Sequence, residues 1–188
     1  LFMKDSSKVI SNRFVIPENY PSETYTLTTE IIQEKIAYDA FINAIEEPNK
    51  PILIRNILFS FNDIKINNDD KREIVTIANM LKKYPEMQIR IIGHTDALGS
   101  EEYNQKLSEK RAEVIKNILL ELKVEEKQII TEGKSLNEPI AINTNNDGSD
   151  NPIGRAFNRR VEFELVNCPD ARLKIDPIKV PAELKPQK

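Results

Sequence analysis

The 188-residue sequence predicts an α+β domain with the element order β-α-β-α-β-β. Two main helices pack on a mixed four-stranded sheet, and an extended or β segment precedes them. Three observations carry this expectation. Apolar residues recur at helical spacing in two long stretches. In four short stretches they alternate or run together. The two kinds of stretch take turns along the chain, as in strand–helix–strand units that lay helices against a sheet.

The elements follow in order. Residues 1–50 differ from the rest. "KVISNRFVIP" reads as a short strand stopped by Pro17, "ETYTLTTEIIQEKI" as a second extended segment, and "NAIEEPNKP" as a linker. Together they resemble the end of a preceding β-rich domain. "ILIRNILFSF" is the first strand of the main domain. "DDKREIVTIANMLKKY" places Ile74, Ile77, Ala78 and Leu81 on one helical face, with acids at its start and lysines at its end. "MQIRIIGHT" is the second strand, and "SEEYNQKLSEKRAEVIKNILLELK" a long helix with Ser100 as N-cap and Glu101 and Glu102 at its positive end. "QIITEGK" is the third strand and "NRRVEFELVN" the fourth, alternating at Val161, Phe163 and Leu165. A polar loop over 136–157 separates them, and a Pro-rich extended tail follows over 169–188. The main domain is thus expected over 51–168.

Composition excludes several classes. A net charge of −3 and a pI near 5.4 argue against a general nucleic-acid binder. One cysteine, Cys168, rules out an internal disulfide and is expected to be a small, half-buried or exposed side chain. One His and one Cys would leave a zinc site dependent on carboxylates, so no metal and no cofactor is expected. No apolar run approaches the roughly 18 residues of a membrane span, and the first residues lack a signal-peptide pattern. The chain begins with Leu1 in mid-pattern, as a piece cut from a longer protein would.

The stretch "GHTDALGSEEYNQKLSEKRA" carries the chemistry. Steps of three and four from Leu107 along the long helix reach residue 111, then 114 or 115, then 118, so Arg111 falls within the face that should meet the sheet. Asn104 lies two turns earlier on the same side. A guanidinium there must be paired or open to a groove, because desolvating it alone is costly. Asp96, in the turn before the helix, is its obvious partner. Two readings follow: an Asp96–Arg111 salt bridge that pins the turn, or a receptor for a free amino-acid head group. In the second, Asp96 takes the ammonium and Arg111 the carboxylate, held bidentately.

"IIGHTDALGSEEYNQKLSEKRAEVIKNIL", "EGKSLNEPIAIN" and "GRAFNRRVEFEL" closely resemble the OmpA-like (OmpA/MotB) C-terminal peptidoglycan-binding domain, over about Ile52 to Asn167. The insert "NTNNDGSDNPIGR" resembles the form common in Bacteroidetes. The resemblance implies a non-enzymatic, periplasmic anchor that ties an outer-membrane protein or complex to peptidoglycan. It implies that Asp96 and Arg111 hold the meso-diaminopimelate of the stem peptide, and that Asn104 and Arg159 line the same pocket. Ser60, Thr95 and Gly99 would stand at its rim. Ser60 occupies a position where the family often has aspartate, which leaves that rim one carboxylate short. In multidomain relatives this domain often follows a regulatory-like β sandwich.

Other patterns fail on inspection. "EGKS" lacks the earlier glycine of a phosphate loop, since Gln128 stands there. "NTNNDG" starts like an EF-hand, but its twelfth position is Gly154, so 143–151 reads as a turn-rich loop rather than a Ca²⁺ site. His94 has no catalytic companion and is expected to hydrogen-bond within the strand end. Alternation puts Arg159 and Arg160 on opposite faces, one serving the pocket and the other solvent. The rival readings are a secretion or motility scaffold with little wall binding and, more distantly, a wall-cleaving enzyme.

Overall fold

A computed structural model describes residues 50–187; the two strand-like segments expected before them lie outside the described residues. The elements are β1 (Ile52–Arg55), β2 (Ile57–Leu58), α1 (Asn68–Lys83), β3 (Gln88–Gly93), α2 (Glu101–Glu121), β4 (Ile129–Gly133), α3 (Pro152–Asn158), β5 (Arg160–Val166) and β6 (Leu173–Asp176). Single 3-10 turns lie at Glu126–Gln128 and Ala182–Leu184.

Four strands form a mixed sheet in the order β2-β5-β3-β4. β5 runs antiparallel to β2 and β3, while β3 and β4 are parallel, with Gly93 opposite both Gly133 and Val161. The expected β-α-β-α-β-β core is therefore present, with two additions. The polar stretch 136–157 ends in the short helix α3, started by Pro152 in its first turn and by Asn151, whose side chain accepts from the Gly154 amide at 2.8 Å. The segment expected as an extended tail contributes β6, which pairs in parallel with β1 from Ile52↔Leu173 to Arg55↔Asp176.

The single strand read at 52–61 is split at Asn56. Its side chain accepts from the Phe163 amide at 3.0 Å and donates to the Asp176 carbonyl at 3.3 Å, so the chain passes from one ladder to the other there. α1 begins at Asn67, whose Oδ1 accepts from the Asp70 amide at 2.9 Å, and buries Ile74, Ile77, Ala78 and Leu81 as the periodicity requires. The core joins these to Ile89, Ile91, Ile115, Leu119, Val161 and Phe163. α2 lies over β3 and β4, and glycine makes its approach possible. A Cβ at Gly93 would lie 1.9 Å from the Ser108 carbonyl oxygen, so any side chain there would push the helix off the sheet. That close contact fixes the height of Arg111, one turn further along.

Candidate functional site

The turn between β3 and α2 is held from three sides. Asp96 Oδ1 accepts from the Leu98 amide at 3.1 Å, Asn104 Nδ2 donates to the Leu98 carbonyl at 3.0 Å, and Asn143 Oδ1 accepts from the Ala97 amide at 3.3 Å. Gly99 follows with φ +97°, a conformation that side chains rarely adopt. Ser100 then caps α2 by accepting from the Tyr103 amide at 3.2 Å. Asn104 is buried, and its amide is spent on the turn. It shapes the site by fixing the loop that carries Asp96.

The charges pair differently from the simplest expectation. Asp96 Oδ2 accepts from Arg159 Nη1 at 2.9 Å, with Arg155 Nε at 3.6 Å. Arg155 also pairs with Asp150. Arg111 pairs with no carboxylate among the described residues. It donates instead to three main-chain carbonyls: His94 at 2.8 Å, Asp63 at 3.1 Å and Ser60 at 3.4 Å. Its guanidinium also sits 5.0 Å from the Phe59 ring centre. The Asp96–Arg111 salt bridge considered from sequence is therefore replaced by Asp96–Arg159. The reason is geometric: the loop after β2 and the end of β3 reach the helix and occupy the donor fork of Arg111 with carbonyls. Burial pulls the Arg111 guanidinium down to about 10 while Asp96 opposes the shift, so it stays charged at neutral pH.

These groups face a groove of about 250 Å³. Asp96, Arg111, Arg159 and Thr95 line its inner part, with Asn104 and Gly99 beside them. Ser60 is not among the lining residues. Its side chain is exposed, and its carbonyl accepts from Arg111. The mouth is built by residues that sequence reasoning did not single out. Phe61, Leu98 and Tyr103 are 62%, 44% and 47% exposed, an unusual concentration of apolar surface at one opening. The Tyr103 hydroxyl bonds Asn62 Oδ1, joining the loop after β2 to α2. The signals were present: large side chains just past a strand and just past a helix N-cap, on loops rather than core faces. Arg155 was visible only as part of a basic cluster. A helix start at Asn151–Pro152 would have set it one turn before Arg159, and the two converge on Asp96.

Behind the groove lies a second charged cluster. Arg160, expected in solvent, is fully buried. It donates to Glu162 at 2.6 Å and to the carbonyls of Asn158 and Glu138 at 3.3 and 3.0 Å. Strand alternation does separate it from Arg159, but the loop through Glu138 covers that face. His94 is also buried. Its main chain accepts from Arg111 and donates to Arg160 at the strand end, while neither ring nitrogen finds a hydrogen-bond partner among the described residues and Nε2 stands 4.0 Å from the Glu162 carboxylate. Burial, reinforced by Arg160 and opposed by Glu162 and Glu138, pushes the imidazole down to about 4. Cys168 is half-buried and free, as expected.

Known proteins share this arrangement of elements. The family model described as OmpA family matches residues 58–151, half of the chain. The chain is 38% identical over 112 residues to Photosystem I P700 chlorophyll a apoprotein A2 of Gloeobacter violaceus, covering 60% of this chain and 13% of that protein. It is 35% identical over 111 residues to outer membrane porin F of Pseudomonas aeruginosa, covering 58% of this chain and 30% of that protein. It thus spans under a third of either relative. The peptidoglycan-associated lipoprotein from Burkholderia pseudomallei matches in structure with a TM-score of 0.53 at 26% identity, over 65% of this chain and 99% of that one. The family match runs from the end of β2 through the Asp96 turn and all of α2, and the chain belongs to the OmpA family.

Proposed function

We propose that this domain binds peptidoglycan without catalysis, gripping the zwitterionic end of the stem peptide's meso-diaminopimelate. In doing so it would anchor an outer-membrane protein or complex to the wall from the periplasm. The observation that carries the reading is the groove's charge layout. One carboxylate, Asp96, and two guanidiniums, Arg111 and Arg159, share one small recess. Asp96 uses one oxygen on Leu98 and the other on Arg159, which leaves lone pairs for an ammonium. Arg111 and Arg159 spend three and two of their five N–H groups on the protein, and the remainder can take a carboxylate. The inner part carries an excess positive charge that the ligand's carboxylate would balance. The apolar mouth of Phe61, Leu98 and Tyr103 suits the aliphatic chain joining that head group to the peptide. The likeness to a peptidoglycan-associated lipoprotein supports the same partner. A single carboxylate in the lining offers no acid–base pair for glycan hydrolysis, which fits binding without turnover.

Sedimentation with purified peptidoglycan tests the proposal. The wild type is expected to pellet with the wall, and Asp96→Asn, which keeps the side chain's shape but not its charge, to remain in solution. Pelleting of Asp96→Asn would dismiss the site. A wild type that stays in solution would favour the scaffold reading.

A further inference from the structure

The C-terminal segment crosses the molecule and ends against the loop that supports the Asp96 turn. Tyr84 first anchors it, donating to Asp170 at 3.1 Å. β6 then pairs with β1 as far as Asp176, whose carbonyl accepts from Asn56 at 3.3 Å. Pro177 and Pro181 restrict the chain beyond, lowering the entropy cost of laying it down in one path. At the 3-10 turn Ala182–Leu184 the Leu184 carbonyl accepts from the Ile142 amide at 2.8 Å.

Ile142 is the middle of a tightly held strip. Asn158, fully buried, accepts from the amides of Ile140 and Ala141 at 2.9 and 3.0 Å. It returns its own amide to the Ala141 carbonyl at 2.8 Å and to Asn143 Oδ1 at 2.9 Å. α3 presses on the same strip: a Cβ at Gly154 would lie 1.9 Å from the Ile142 carbonyl oxygen. The next residue, Asn143, reaches over to the Ala97 amide, adjacent to Asp96. An unbroken run of contacts therefore joins the end of the chain to the turn that carries the groove's carboxylate.

We propose that Asn143 is a positioning residue for ligand binding and that the segment Pro181–Leu184 is the strap that holds it in place. The strip 140–143 is clamped between α3 and the strap, so Asn143 holds the Asp96 turn before ligand arrives and lowers the ordering cost of binding. The proposal rests on the reading of Asp96 as a ligand contact. Its structural half can be measured without any ligand.

The test is amide hydrogen exchange, read by NMR, and peptidoglycan affinity for three variants. These are a chain ending at Val180, which keeps β6, then Asn143→Ala, and Asn143→Asp. Truncation is expected to speed exchange at Ile142 and Ala97 while Ile91 in β3 stays protected, and to weaken wall binding by about three- to tenfold. Asn143→Ala should speed Ala97 alone with a similar loss of affinity. Asn143→Asp should restore both, because Asn143 Oδ1 acts only as an acceptor in its bonds to Ala97 and Asn158. Unchanged exchange at Ala97 in the truncated chain and in Asn143→Ala would overturn the strap, whatever the affinity does. Accelerated exchange at Ala97 in a protein whose wild type binds no peptidoglycan would uphold the strap and overturn the ligand reading alone.

Discussion

Two arginines are fully buried in this domain, and the groove and the cluster behind it bury them on different terms. Arg160 has a counter-charge, the one-third exposed Glu162, and two carbonyls under the Glu138 loop. Arg111 has carbonyl dipoles and an aromatic face, but no carboxylate among the described residues, and it lines an open groove. An ion pair that is complete within the protein has no charge left to offer a ligand. A cation satisfied by dipoles keeps its net charge and spare donors, so the two sites differ in what they can bind although both are desolvated. Asp96 is served by Arg159 and Arg155, so the charge of Arg111 remains uncancelled at the groove.

The largest expected effect breaks the Arg160 cluster. Arg160→Ala leaves a cavity and strips two carbonyls of their donor, while the one-third exposed Glu162 can rehydrate, and is expected to cost about 3–4 kcal/mol in denaturant unfolding, with wall binding kept by the molecules that stay folded. Arg111→Ala would remove the donors of three carbonyls as well as the charge. It therefore reports on stability and binding together, and Asp96→Asn is the cleaner probe of the groove.

Acidification is the next lever. His94 is neutral in the folded chain down to about 4, against 6.5 when unfolded. Between those values the unfolded chain holds the proton and the folded chain does not. Stability is therefore expected to fall by up to about 3 kcal/mol as pH drops from 6.5 to 4, and to be flat in this group above 6.5. His94→Gln should flatten that slope in a series of unfolding curves, whereas an unchanged slope would place the titration elsewhere. The smallest effect sharpens the other side of the comparison. Phe61→Ser with Leu98→Ser should weaken wall binding by about three- to tenfold through lost apolar contact, leaving the midpoint of thermal unfolding nearly unchanged.

The regular elements were legible because their evidence is local. Helical spacing located α1 and α2, alternation located β5, and Ser100 and the flanking acids marked a helix start. β6 was not legible. Its four residues sit between prolines, and its partner β1 lies some 120 positions earlier, so no local pattern records the pairing. α3 has seven residues inside an Asn- and Asp-rich stretch, where its Asn151–Pro152 start looks like one more turn. At the site, the spacing of Asn104 and Arg111 placed both on the buried face, as the structure has them. Their partners could not be read, because main-chain carbonyls, at Leu98 for Asn104 and at Ser60, Asp63 and His94 for Arg111, have no sequence signature. With the Arg111 fork taken up by carbonyls, Asp96 meets Arg159.

The most direct measurement is a calorimetric titration of the wild type with a stem tripeptide ending in meso-diaminopimelate, beside the same peptide ending in lysine. Lysine keeps the ammonium for Asp96 but brings no side-chain carboxylate to Arg111 and Arg159. The account predicts saturable binding of the first peptide and at least about a hundredfold weaker binding of the second, since a desolvated cation is then left without its anion. Equal affinity for the two peptides, or no binding of the first, would contradict it.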